Sequence, residues 1–128
     1  MIVGDSSYFV ALANRKDRWH RDAVRVSKSI RDRVLVTDMT VAEAVTIVGS
    51  RVGAKAGMAL FQYFLDDCEV RFADLELTRR AMAAWLRYDG RLSVPDAISL
   101  EVMSQRGISR ILSFDSDFDR VRGIERLR

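Results

Sequence analysis

Apolar positions along this chain fall into two rhythms, short unbroken runs and longer stretches of helical period, and the two alternate from end to end. Ile2-Val3-Gly4 reads as a strand ending at Asp5, and the stripe Tyr8, Phe9, Ala11 and Leu12 behind it predicts a helix. A charged amphipathic helix over 19–31 turns Trp19, Ala23, Val26 and Ile30 inward, and Val34-Leu35-Val36 is the second strand. Val41, Ala44, Val45 and Val48 stand at the i, i+3, i+4, i+7 spacing of a helix that Thr40 opens and that ends near Gly49 to Gly53. Residues 54–66 make an unusually apolar helix, Cys68 to Phe72 a third strand, and Leu77, Ala81, Ala84, Trp85 and Tyr88 the stripe of the next helix. After the turn at Asp89-Gly90, Pro95 pre-sets the first turn of a helix that Gly107 stops. Ile108 to Phe114 is the fourth strand, residues 115–118 form a short turn, and 124–127 add a fifth, edge strand.

Strands alternating with helices predict crossover units around a parallel sheet covered on both faces, an α/β/α sandwich of about five strands. No linker, repeat or low-complexity tract interrupts the pattern, so residues 1–128 form one domain. For 14.6 kDa, the folded surface scales to roughly 6,900 Å², about a third of the unfolded chain's, which leaves a substantial core. The 48% hydrophobic and 30% charged content excludes collagen-like and disordered chains.

The formal charge is only +3, but every basic residue except Lys16, Lys28 and Lys55 is an arginine. Guanidinium groups suit phosphate recognition, because the planar fork bonds two oxygens at once. Arg15, Lys16, Arg18, Arg87 and Arg91 are candidate phosphate contacts, and a solvated surface is the alternative for each. Cys68 is the single cysteine and His20 the single histidine, which rules out an internal disulfide and disfavours zinc sites and histidine-based triads. His20, among Arg18, Arg21 and Asp22, reads as a surface residue. No basic leader or membrane-length apolar segment is present, and a cytoplasmic setting without membrane contact is expected.

Asp5 and Asp115 directly follow the first and fourth strands, Glu43 lies one helical turn beyond the second, and Asp96 starts a helix, so all four fall at the carboxyl-terminal edge of the sheet. In a parallel sheet that edge is where ligands bind. Each acid also has a plain structural role open to it, since Thr40-x-x-Glu43 and Ser93-x-x-Asp96 look like capping boxes and Asp5 or Asp115 can cap the next helix. Taken together, carboxylates crowded among apolar residues resist ionisation, and no lysine follows Lys55 to neutralise them. A hard divalent cation such as Mg²⁺ or Mn²⁺ fits this donor set.

The chain resembles the PIN-domain ribonucleases, and among them the VapC-type toxins, in four places spread over its whole length. These are Ile2-Val3-Gly4-Asp5-Ser6-Ser7 with Phe9 and Ala11, Val36-Thr37-x-x-Thr40-Val41-x-Glu43, Ser93-x-x-Asp96-Ala97, and Ser113-Phe114-Asp115-Ser116-Asp117-Phe118. The resemblance implies a five-stranded parallel sheet between helices and an acidic quartet of Asp5, Glu43, Asp96 and Asp115. Asp117 is similar to an additional acid of the family, and Ser7 and Ser113 match its small hydroxyl positions.

No histidine, lysine or cysteine lies near these motifs to serve as a general base, so metal-assisted phosphodiester hydrolysis is the chemistry expected. Asp5, Asp96 and Asp115 are expected to bind the metal and Glu43 to orient water or a second ion, with Asp117, Ser7 and Ser113 in support. RNA as substrate, a 5′-phosphate product, a homodimer and a cognate antitoxin are what the resemblance implies. The surplus apolar surface of 54–66 is open to three readings: burial against the sheet, a dimer face, or a groove for a partner segment. A phospho-accepting receiver domain lacks its adjacent acids and late lysine here. A non-catalytic RNA-binding version of the fold, or an RNA-processing nuclease that is not a toxin, remains the alternative.

Overall fold

A computed structural model describes residues 1–128. Five parallel strands form one sheet: β1 (Ile2–Gly4), β2 (Val34–Thr37), β3 (Cys68–Arg71), β4 (Arg110–Leu112) and β5 (Glu125–Leu127). Their spatial order is β3-β2-β1-β4-β5, with Val3 opposite Leu35 on one side and Ile111 on the other. The chain therefore builds outward from β1 in one direction, then crosses back and builds in the other. The point of reversal lies between β1 and β4.

Alternation along the strands separates two cores. Ile2, Val36 and Leu112 face α1 (Ser6–Ala13), α2 (His20–Ser29), α3 (Asp38–Arg51) and α4 (Ala54–Asp67). Val3, Leu35 and Ile111 face α5 (Leu75–Arg87) and α6 (Val94–Arg106), along with Phe118 from a single 3₁₀ turn at Ser116–Arg120. This is the three-layer α/β/α sandwich read from the alternating pattern. Gly4 is required where it stands, because a Cβ there would lie 2.5 Å from the ring of Phe9, which is wholly buried.

Several boundaries differ from the sequence reading for local reasons. The third helix starts at Asp38, not Thr40, because Thr37 is its N-cap and accepts the Thr40 N–H at 3.2 Å. It runs through Gly49 to Arg51, and Gly57 lets α4 approach it closely, a Cβ there standing 3.3 Å from the Val45 carbonyl oxygen. The fourth strand is shorter than 108–114. Gly107 and Ile108 are used to close α6 on the Ser104 and Met103 carbonyls, and Phe114 gives its N–H to the Ser7 hydroxyl. His20 is half-buried rather than a free surface residue, its Nδ1 lying 2.8 Å from the Ala11 carbonyl.

Of the apolar surplus on α4, Leu60 and Phe64 are buried, whereas Met58, Phe61 and Leu65 stay exposed. Phe61 and Leu65 line an apolar groove of about 420 Å³ with Val41, Val45, Val70 and Phe72, at the open β3 edge of the sheet. Burial against the sheet alone therefore does not account for this helix. No helix is long and apolar enough to cross a membrane.

Candidate active site

In a parallel sheet the strand ends on either side of the reversal point part to opposite faces and leave a crevice. Asp5 leaves β1 and Ser113 leaves β4 at that point, which brings together residues 108 apart in the chain. Asp5 is the N-cap of α1, and its Oδ2 accepts hydrogen bonds from the Ser7 N–H at 3.3 Å, the Ser7 hydroxyl at 2.6 Å and the Ser113 hydroxyl at 2.8 Å. Ser7 in turn accepts from the Phe114 N–H, and Ser113 from the Asp115 N–H. The three hydrogen bonds from Ser7 and Ser113 all converge on Oδ2, and Oδ1 takes none of them. The capping role is real, and it leaves half the carboxylate uncommitted.

Asp96 sits in the first turn of α6, whose cap Ser93 accepts the Asp96 N–H at 3.1 Å. Ser93 is thus the cap, and Asp96 is buried, only 8% of the residue being exposed. Burial pushes its pKa up to about 7, the charges of Asp5 and Asp115 push in the same direction, and hydrogen bonding from Ser93 offsets part of the rise. Burial likewise holds Asp5 above the ordinary carboxylate range, against the lowering effect of its serine donors. Asp115 caps the 3₁₀ turn by accepting the Asp117 N–H at 2.9 Å.

Glu43 enters from α3, and a capping role for it is overturned because Thr37 occupies the cap. Its Oε1 instead accepts a short hydrogen bond from the Ser6 hydroxyl, which ties it to the residue next to Asp5. Asp117 is more peripheral, half-exposed, with Arg120 at 3.8 Å.

The structure brings Asp5, Asp96 and Asp115 within mutual electrostatic reach, and links Glu43 and Asp117 to them through Ser6 and the Asp115 cap. The cluster is open, however. No three acid, histidine or cysteine side chains are grouped closely enough to hold a metal ion by themselves. No arginine or lysine forms an ion pair with Asp5, Glu43, Asp96 or Asp115. Uncompensated, partly desolvated hard oxygen donors fit a divalent cation that keeps part of its water shell. Cys68 lies elsewhere, its thiol pushed up to about 11 by burial and by Asp67, and is no nucleophile.

Two participants had no clear mark in the sequence. Ser6 reads as an ordinary first-turn serine, and only the fold shows Glu43 beneath it. Arg126 on β5 is almost fully buried, pairs with Asp119 through two nitrogens at 2.8 Å, and donates to the Ser113 carbonyl at 3.3 Å. A lone arginine on an edge strand gives no periodic signal.

Ser113→Ala removes a donor from Asp5 and an acceptor for Asp115 at once. It is expected to loosen the orientation of the Asp5 carboxylate and to lower any hydrolysis performed in the crevice about 10- to 100-fold, as loss of a partner that orients a working carboxylate does. Steady-state cleavage rates check this, with far-ultraviolet circular dichroism showing the fold retained.

A crevice of acids at the turning point of a β3-β2-β1-β4-β5 parallel sheet is the arrangement of a PIN domain. The chain matches the PIN domain over residues 2–124 and belongs to that family. Within it, the chain is 32% identical over 120 residues to the 23S rRNA-specific endonuclease VapC20 of Mycobacterium tuberculosis, covering 92% of each chain, in the CDC 1551 and H37Rv strains alike. The crystal structure of that VapC20, described as a Sarcin-Ricin loop cleaving toxin, superposes with a TM-score of 0.87 at 30% identity over 93% of both chains. A toxin-antitoxin complex from Klebsiella pneumoniae shares the fold, with a TM-score of 0.73 at 15% identity over 98% of this chain and 96% of that one. The resemblance to VapC-type toxins drawn from the four motifs is borne out.

Proposed function

We propose that this protein is a metal-dependent endoribonuclease of the VapC toxin type, which hydrolyses RNA phosphodiester bonds at Asp5, Glu43, Asp96 and Asp115. The observation that carries the reading is the pairing of crowding with the lack of any direct ion pair. Asp96 is raised to about 7 beside two other acids, and none of the four carboxylates forms an ion pair, Arg126 acting on Asp115 only at a distance. Asp5, Asp96 and Asp115 would hold Mg²⁺ or Mn²⁺ together with bound water, and Asp117 would support them. When bound, such an ion supplies Lewis-acid activation of water and positive charge opposite the leaving oxygen.

The chain's own residues do the rest. Ser7 and Ser113 hold the Asp5 carboxylate in one orientation, so that the ligand atom is in place before the ion arrives. Glu43, fixed by Ser6, orients the attacking water. The 23S rRNA named for the relatives is the first substrate to test. The apolar groove between α3, α4 and the β3 edge supports a protein partner, a cognate antitoxin, and the exposed apolar positions of α4 support a homodimer. The setting is cytoplasmic.

Incubation of an RNA pool containing 23S rRNA with the protein and Mg²⁺ or Mn²⁺ is expected to give discrete fragments with 5′-phosphate ends. EDTA is expected to abolish them. Cleavage undiminished in EDTA would show that the carboxylates are not the working site.

A further inference from the structure

Away from the acids, α5 ends in Arg87, the following turn carries Arg91, and the 3₁₀ turn ends in Arg120. With Tyr88 and Asp89 they line an open cavity of about 570 Å³, three guanidinium groups against one carboxylate. Arg87 and Arg91 make no ion pair, and Arg120 has only Asp117 at 3.8 Å; other arginines are unpaired too, and what sets these three apart is that they line one cavity. Unpaired like charges repel one another across a shared cavity, and an anion between them removes that cost.

The arginines stand on a fixed support. Asp89 and Gly90 both adopt left-handed backbone, at φ 53° and 65°, and turn the chain against the face of Trp85. The Trp85 indole N–H donates to the Leu92 carbonyl at 2.9 Å, and the Arg91 N–H to the Tyr88 carbonyl at 3.0 Å. Leu92 is buried, so Arg91 is anchored one residue to its side and two residues before the Ser93 cap of the Asp96 helix. Arg120 adjoins the acids through Asp117, whose N–H caps on Asp115. The basic cavity thus shares two structural supports with the carboxylate cluster.

We propose that Arg87, Arg91 and Arg120 form a subsite for the RNA phosphodiester backbone, holding the strand on the Asp117 side of the cleaved bond. A forked guanidinium matches phosphate oxygens, and the cavity exceeds what a single inorganic anion requires. The subsite rests on the endoribonuclease reading. It answers a difficulty of that reading, since a cleft of carboxylates by itself repels a polyanion.

The test is binding of a short fluorescein-labelled oligoribonucleotide of mixed sequence in EDTA, by anisotropy, from roughly 50 to 200 mM salt, with cleavage kinetics in Mn²⁺ alongside. The triple variant Arg87→Gln, Arg91→Gln, Arg120→Gln is expected to raise Kd on the order of 10-fold or more and to flatten the slope of log K against log salt by about 2. The loss should appear in KM more than in kcat. Arg79→Gln, an exposed arginine on the same helix outside the cavity, should match the parent in both measurements. A triple variant with the parent's KM and salt slope, in a parent that cleaves RNA, would overturn the subsite alone. A parent that neither binds nor cleaves RNA would overturn the endoribonuclease reading and the subsite with it.

Discussion

Replacing Asp5 with asparagine is expected to lower RNA cleavage by on the order of 10³-fold, about 4 kcal/mol of transition-state stabilisation, while leaving the protein folded and more stable at neutral pH. The geometry separates the two effects. All the donors on Asp5 point at Oδ2, and an amide oxygen accepts from Ser7 and Ser113 as well as a carboxylate oxygen does. The amide nitrogen then occupies the place of Oδ1, which takes none of the Ser7 and Ser113 hydrogen bonds. What the substitution removes is a buried negative charge that its surroundings disfavour, and with it the ability to ligate a cation. Relief of the desolvation and of the repulsion from Asp96 is expected to raise the stability of the metal-free protein near pH 8. Chemical denaturation and initial cleavage rates on the same preparation check both halves. An Asp5→Asn variant that kept a tenth of the parent's activity would mean that Asp5 serves as a helix cap and nothing more, since asparagine caps as well, and one that lost stability would contradict the burial cost assigned to its charge.

The metal-free protein is expected to lose stability as pH rises from about 4 to about 7, and divalent metal to restore it. The folded-state pKa of Asp96 is raised from 3.8 to about 7, so the folded state holds a proton that the unfolded chain has already released. Its stabilising contribution is complete below the unfolded value and is lost as pH climbs through the folded value, up to about 4 kcal/mol. Asp5 is raised as well and acts in the same sense. Asp32, Asp74 and Asp119 are lowered, Asp32 by the N-terminal ammonium, Asp74 by the Leu77 N–H and Asp119 by Arg126. Their contributions have the opposite sign and are lost only as pH falls into the acid range, so the fall between about 4 and 7 belongs to the buried acids. Thermal unfolding in EDTA across this window should show the decline in the parent and a flatter curve in Asp96→Asn. Manganese at about 100 times its Kd should return about 2.7 kcal/mol to the parent at pH 7.5 and little to the variant. Parallel pH curves for the two proteins would dissociate Asp96 from the effect.

The two largest expectations both come from acids whose positions were legible in the sequence, because strand ends are marked by local chemistry. Short apolar runs stop at Asp5 and just before Asp115, and Ser93 with Pro95 announces the helix that carries Asp96. Glu43 was legible as a residue and not as a role. The Thr40 spacing made a cap plausible, and the cap passed to Thr37 because its extended backbone and hydroxyl reach the Thr40 N–H. The same applies to the arginines. Arg87 and Arg91 stand out as charges close in sequence, whereas Arg120 joins them only because the 3₁₀ turn folds back beside α5.

The amino-acid sequence by itself determined the succession of strands and helices, the parallel sandwich, and the placing of the acids at one edge, because each follows from side-chain periodicity and local capping. The tertiary structure alone decided which acids share a field, which hydroxyls orient them, and which cations stay unpaired. Those outcomes depend on strand order and register, which bring Ser113 onto Asp5 and Glu43 onto Ser6 across long stretches of chain. Burial then does what no local pattern encodes: it removes water from carboxylates that would ionise freely on a surface and sets their charges against one another.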